Sequence, residues 1–191
     1  MRLFIALDID DAIRHRISRF MDGVREFAPE VRWVKTQSVH VTLKFIGERP
    51  DGEEIKRTLA KIQGAPIEIS FQGYGFFPNP KSARVFWIGI RAHDALPSLA
   101  ATIDESLTSL GIAKEAHAFS PHMTLARTGS GRPMRGKEDR KNPAFRRLQE
   151  KLSVLPAPEF GTMTAREFFL YQSQLSPKGS HYTKLASFSL H

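Results

Sequence analysis

The alternation of apolar and polar positions divides this chain into short strands and amphipathic helices. Residues 3–9 are an apolar run bounded by Asp8, Asp10 and Asp11, the pattern of a buried strand followed by helix-capping acids. Ile13, Ile17, Phe20, Met21 and Val24 recur at helical spacing, and Pro29 ends that helix. Residues 39–46 read as a strand stopped by Gly47 and Pro50, and 51–62 as a helix with Ile55, Leu59 and Ile62 on one stripe. Ile67, Ile69 and Phe71 alternate, so a strand runs into Gly73 and Gly75, and a turn-rich loop, Phe77-Pro78-Asn79-Pro80, follows. Residues 85–90 form another apolar strand. Leu96, Leu99, Ile103, Leu107 and Leu110 mark an amphipathic helix that Gly111 terminates. Beyond it come a strand over 122–126, a mobile basic loop over 128–143 and a helix over 145–155. Residues 160–175 hold one long strand or two shorter ones. A turn at Ser176-Pro177-Lys178-Gly179 leads to a last strand over 182–190.

Aligned with itself, the chain repeats at an offset of 82. Arg2-Leu3-Phe4-Ile5 falls on Arg84-Val85-Phe86-Trp87. At the same offset Ser38, His40, Thr42, Leu43 and Gly47 fall on Ser120, His122, Thr124, Leu125 and Gly129, with no gap needed. Each block, 2–47 and 84–129, therefore reads strand, helix, then a strand carrying His-x-Thr-Leu. The expectation is one α+β domain over 1–191, made of two similar lobes related by a pseudo-two-fold axis. No low-complexity linker separates two independent domains.

Composition narrows the chemistry. The chain has 191 residues, 41% apolar and 25% charged, which excludes a disordered tail, a collagen-like fibre and a membrane-embedded bundle. Lys and Arg outnumber Asp and Glu by 28 to 20, a formal charge of +8 that favours an anionic partner, nucleic acid first. Cysteine is absent, which removes disulfides, thiolate metal sites and a Cys nucleophile. No apolar stretch approaches the ~20 residues of a membrane span. The run at Leu3–Leu7 stops at Asp8, short of a signal-peptide core. The expectation is a soluble cytoplasmic protein with no membrane contact.

The repeated motif suggests an acid–base site. On a strand, residues i and i+2 share a face, so His40 pairs with Thr42 and His122 with Thr124, while Val41 and Met123 turn into the core. Imidazole titrates near pH 6.5, so at neutral pH one histidine can take a proton from water while the other gives one to a leaving oxygen. The threonine hydroxyls can donate to non-bridging phosphate oxygens. With seven His and ten Thr, one chance His-x-Thr is expected roughly 0.4 times. Two copies in register with a second repeated block outweigh that chance. The rival is a zinc site, which usually needs three or four protein ligands, and the chain offers no His-x-x-x-His and no Cys. His15, His93 and His191 read as surface residues; His117 and His181 lie near strand ends that border the expected cleft.

At these residues the chain resembles the 2H phosphoesterase superfamily, specifically the RNA 2′,3′-cyclic phosphodiesterases once named 2′-5′ RNA ligases. The resemblance runs through Met1-Arg2-Leu3-Phe4-Ile5-Ala6-Leu7, His40-Val41-Thr42-Leu43-Lys44-Phe45-Ile46-Gly47 and Gly73-Tyr74-Gly75-Phe76-Phe77-Pro78. It continues through Arg84-Val85-Phe86-Trp87, His122-Met123-Thr124-Leu125-Ala126-Arg127 and the closing segment 175–190 with Gly179 and Tyr182. Ser189 departs from it, standing where relatives are expected to carry proline.

The resemblance implies a bilobal α+β fold with an antiparallel sheet in each lobe flanked by helices, and metal-independent, cofactor-free hydrolysis of an RNA terminal 2′,3′-cyclic phosphate to a 2′-phosphomonoester in the cleft between the lobes. It implies His40 as proton donor, His122 as proton acceptor, and Thr42 and Thr124 as phosphate ligands. The repeat symmetry alone leaves acid and base unassigned. Tyr182, Phe77 and Phe76 are candidate base-stacking residues, each with a core role as the alternative. Arg127 is a candidate substrate ligand, but strict alternation turns it away from the His122 face. It would then reach phosphate from the strand end or serve elsewhere. Its offset partner is Phe45.

The basic loop over 128–143, with Arg132, Arg135, Lys137, Arg140 and Lys141 against Glu138 and Asp139, suits an RNA backbone. The expected partner is an RNA with a cyclic phosphate end, tRNA fragments among them, acted on by a monomer. Alternatives keep the chemistry on 2′-5′ linked oligonucleotides or small cyclic nucleotides, reverse ligation included, or make the protein a non-catalytic RNA-end binding module. A two-histidine enzyme is expected to show a bell-shaped rate between about pH 5 and 8, and a binder no rate.

Overall fold

The structure, a computed structural model, describes residues 1–129 and 143–191; most of the basic loop expected over 128–143 lies outside them. The strands are β1 (Arg2–Leu7), β2 (Arg32–Trp33), β3 (Val41–Glu48), β4 (Ile67–Phe77), β5 (Val85–Ala92), β6 (His122–Arg127), β7 (Glu159–Ala165), β8 (Glu167–Ser176) and β9 (Gly179–Ser189). The helices are α1 (Asp11–Val24), α2 (Glu53–Leu59), α3 (Ala95–Ser106) and α4 (Arg146–Ser153). α1 displaced by 82 covers 93–106, which is α3 with two residues to spare. Gly111, at φ 72°, takes the left-handed conformation that ends the short 3-10 turn after α3.

Two antiparallel sheets result, in the orders β3-β1-β8-β9 and β2-β6-β5-β4-β7. The repeat-related strands hold matching places: β1 pairs with β3 in the first sheet as β5 pairs with β6 in the second. The neighbours on the other side are exchanged. β4, from the first half of the sequence, joins β5, and β8, from the second half, joins β1. The region 160–175 is two strands, broken at Arg166. β2 was not visible in the sequence pattern because two residues are too short to alternate.

The helices also reach across. α1 lies against β7, with Arg16 Nη1 donating to the Phe160 carbonyl at 3.0 Å. α3 lies against β3, where Lys44 meets Asp104. One continuous apolar core takes Ile5, Leu43 and Leu170 from the first sheet and Phe71, Phe86 and Leu125 from the second. A second, small cluster of Phe4, Ala6 and Tyr171 lies on the opposite face of the first sheet, flanked by Phe169 and Tyr182. Among the described residues no helix is long and apolar enough to cross a membrane.

Candidate active site

β3 and β6, the two strands that carry His-x-Thr, lie beside one another. His40 immediately precedes β3 and His122 opens β6. Each ring nitrogen Nδ1 meets the carbonyl two residues earlier, His40 with Ser38 at 2.6 Å and His122 with Ser120 at 2.9 Å. A carbonyl only accepts, so Nδ1 carries the proton in both rings and Nε2 is the nitrogen left for chemistry. The repeated serines of the two sequence blocks thus serve through their backbone.

Both imidazoles rest against aromatic rings. His40 lies 4.9 Å from Phe4, 6.2 Å from Tyr171 and, edge to face, 5.3 Å from Tyr182. His122 is met edge to face by Phe77 at 5.0 Å and by Trp87 at 6.3 Å. Phe77 and Tyr182, the candidate base-stacking residues, therefore border the histidines. Phe76 is only 9% exposed and stacks on Phe86, so it belongs to the core. Gly75 faces Trp87 across the ladder, and a Cβ there would run into the indole ring. His15, His93, His117, His181 and His191 are all exposed, and none is in ring contact with either motif.

Arg127 departs from the alternation argument. In the ladder Trp87 faces Thr124 and Phe86 faces Ala126, so Leu125 is an extra residue on β6. A bulge of one residue reverses the parity beyond it. Leu125 and Ala126 are both buried, and Arg127 emerges on the face that holds His122 and Thr124. Its Nη2 lies 3.4 Å from the Thr124 hydroxyl as a donor. The same device recurs on β3, where Ile5 faces Lys44 and Ala6 faces Thr42, leaving Leu43 extra. Leu43 and Lys44 are buried, and Phe45 comes out at 63% exposure opposite Phe4. The signal was present in the sequence as two adjacent apolar positions, Leu125-Ala126, which a regular strand would place on opposite faces.

Burial lowers the His40 pKa below 6.5. The Ser38 carbonyl and the Asp8 carboxylate oppose that shift, and the Arg14 and Arg127 guanidiniums add to it. An NMR titration of the His40 ring in the free protein should therefore show a midpoint below 6.5. A midpoint at or above 6.5 would contradict this electrostatic reading. Burial pushes the Tyr171 hydroxyl up, and Asp8 adds to the rise, so Tyr171 stays protonated throughout the working range.

Asp8, Arg14 and Lys184, which belong to neither motif, form an ion cluster beside His40. Asp8 accepts from Arg14 Nη2 at 2.6 Å and from Lys184 Nζ at 2.7 Å. Among the described residues no group of three or more His, Asp or Glu side chains gathers as a metal site would require. A surface hollow of about 490 Å³ beside α2 and α3, lined by Thr58, Lys61, Thr102 and Ser106, shares no residue with either motif.

Comparison with known proteins identifies the family. The 2′-5′ RNA ligase superfamily profile matches residues 9–172. An RNA 2′,3′-cyclic phosphodiesterase of Archaeoglobus fulgidus is 37% identical over 192 residues, covering 98% of this chain and 99% of that protein. One of Methanothermobacter thermautotrophicus is 31% identical, covering 100% and 99%. The crystal structure of E. coli LigT complexed with 3′-AMP superposes with a TM-score of 0.76 at 25% identity, over 99% of this chain and 97% of that one. With this profile match, these identities and the paired motifs on two antiparallel sheets, the chain belongs to the 2′-5′ RNA ligase superfamily.

Proposed function

We propose that this protein hydrolyses RNA terminal 2′,3′-cyclic phosphates to 2′-phosphomonoesters without a metal, within one domain formed by both sheets. The observation that carries the reading is the pair of histidines, each with Nδ1–H committed to a serine carbonyl and Nε2 left to move a proton. The names of the relatives supply the substrate class.

Water attacks phosphorus and gives its proton to His122 Nε2, while the bond from phosphorus to O3′ breaks and O3′ takes a proton from His40 Nε2. The Thr42 and Thr124 hydroxyls donate to the non-bridging oxygens, and the Arg127 guanidinium adds positive charge beside Thr124. The resemblance assigns His40 as donor, and the two carbonyl bonds are alike. In the free protein the lowered His40 pKa favours the neutral ring. A phosphate monoanion seated at Thr42 and Thr124 brings a negative charge that favours the protonated ring, the form a donor needs. Proton transfer of this kind contributes roughly 10²–10⁴-fold per group.

The test is a short RNA ending in a 2′,3′-cyclic phosphate, incubated with and without EDTA and followed by ³¹P NMR. The expected product is the 2′-phosphate, formed at the same rate in both samples. A 3′-phosphate product would overturn the regiochemistry, EDTA sensitivity would overturn metal independence, and binding with no turnover would favour an RNA-end binding module.

A further inference from the structure

We propose that Arg14 is a positioning residue for His40, and that the clamp it forms makes the two repeat-related histidines structurally unequal. The proposal rests on the reading of His40 as a proton-transfer group. It comes from a single guanidinium that ties α1 to the residue after β1 and to the segment that leads into β3.

Arg14 lies on α1 with its side chain only 18% exposed. Its Nη1 donates to the Thr36 carbonyl at 2.6 Å and to the Val39 carbonyl at 3.2 Å. Its Nη2 donates to Asp8 Oδ1 at 2.6 Å, at the end of β1. Asp8 is held in turn, since Oδ1 also accepts from the Ile9 N–H at 2.9 Å and Oδ2 accepts from Lys184 Nζ at 2.7 Å. The planar fork of an arginine, with five N–H donors, suits such a branching contact, which the point charge of a lysine does not reproduce.

The two carbonyls that Arg14 grips flank Ser38, whose own carbonyl accepts from His40 Nδ1 at 2.6 Å. The 3-10 turn Thr36–Ser38 is short, and its preceding residue makes no side-chain cap. Held on either side, the Ser38 carbonyl cannot swing, so the imidazole keeps its Nδ1–H tautomer and its plane. At offset 82, Leu96 and Ile90 stand where Arg14 and Asp8 stand here, and both are buried apolar residues. His122 therefore makes its 2.9 Å bond to Ser120 with no counterpart of the clamp from those positions.

The charged and titratable groups around His40 come from every neighbouring element: Asp8 from just after β1, Arg14 from α1, Arg127 from β6, Tyr171 from β8, and Tyr182 and Lys184 from β9. Asp8 and Arg14 act on the His40 proton in opposite directions. The contribution of the pair is therefore one of geometry more than of charge.

The experiment compares wild type with Arg14→Met and Arg14→Lys in the full chain, well below each melting temperature. It measures kcat and KM on the cyclic-phosphate RNA, and ¹⁵N spectra of histidine-labelled protein. The expected result for Arg14→Met is a kcat lowered roughly 10–100-fold, the scale of a small misplacement of a reacting group, with KM within about twofold. The His40 Nδ1 resonance should shift or broaden while that of His122 holds, and Arg14→Lys should recover only part of kcat. An unchanged kcat in folded Arg14→Met, or equal changes at both histidines, would overturn the proposal. Should the wild type show no turnover, the proposed function fails, and the two histidine resonances still decide whether Arg14 holds His40.

Discussion

Replacing either His40 or His122 by alanine is expected to lower kcat on an RNA 2′,3′-cyclic phosphate by roughly 10²–10⁴-fold, the contribution of one general acid or base. KM should change little, because the proposed phosphate ligands Thr42, Thr124 and Arg127 remain. The double variant should be scarcely worse than the more damaging single one, since groups that act on one transition state are not additive. The aromatic rings around each imidazole pack against one another as well, Phe4 with Tyr171 at 5.1 Å and Phe77 with Trp87 at 5.1 Å, so both variants should remain folded. A phosphodiester with a nitrophenolate leaving group needs no proton donor. On it, His40→Ala should lose much less than His122→Ala. Retention of more than a tenth of wild-type kcat on RNA by either variant would end the paired-histidine mechanism, and equal losses on the nitrophenyl ester would remove the donor role from His40.

Lys44→Ala should cost about 3 kcal/mol of stability, at the lower end of what breaking a buried ion pair from one side costs. Lys44 is 2% exposed. Its ammonium donates to Asp104 Oδ1 at 2.6 Å and to the Ala113 carbonyl at 3.0 Å, with Glu115 Oε1 at 3.5 Å. The contact joins β3 of the first sheet to α3, which follows β5 in sequence. The low end of the range is chosen because the Asp104 side chain is 19% exposed and keeps its bonds from the Glu115 N–H. For a chain of this length the melting temperature should fall by roughly 6–12 °C. Lys44→Met preserves most of the volume and should cost less.

The pair also has a pH signature. Burial alone would raise the Asp104 carboxyl, but the bonds from Lys44 and the Glu115 N–H hold it below 3.8. A carboxyl depressed in the folded state adds stability that is present above its unfolded pKa and lost as pH falls toward the folded value. Urea unfolding at pH 7 and pH 3 should therefore show a smaller acid loss in Lys44→Met than in wild type. A Lys44→Ala protein as stable as wild type would show that the contact is worth nothing net.

The repeat was the most legible part of the sequence. Strand–helix–strand blocks at one offset placed β1 with β5, α1 with α3 and β3 with β6, because hydrophobic periodicity records which face of each element is buried. The paired His-x-Thr motifs stood out for the same reason. The orientation of Arg127 was not legible by strict alternation, since one extra residue at Leu125 reverses every face beyond it. Phe45 was noted only as the offset partner of Arg127, and its exposure follows from the matching bulge at Leu43. The place of Asp8 and Arg14 beside His40 was not legible because neither has a like residue at the offset, and a repeat displays only what both halves share. The exchange of β4 and β8 between the halves was hidden too, because strand partners are a tertiary choice that local pattern does not encode.

That exchange matters most while the chain is being made. Leu3 on β1 faces Gln172 on β8, a separation of 172 − 3 = 169 residues. At a synthesis rate of roughly 5–20 residues per second, β1 waits about 8–34 s for that partner. During this interval β3 can cover one edge of β1, and the other edge offers unpaired backbone on an apolar strand. The first sheet thus closes only when the β8–β9 hairpin emerges from the ribosome, and a chain truncated before β8 carries an open, sticky edge.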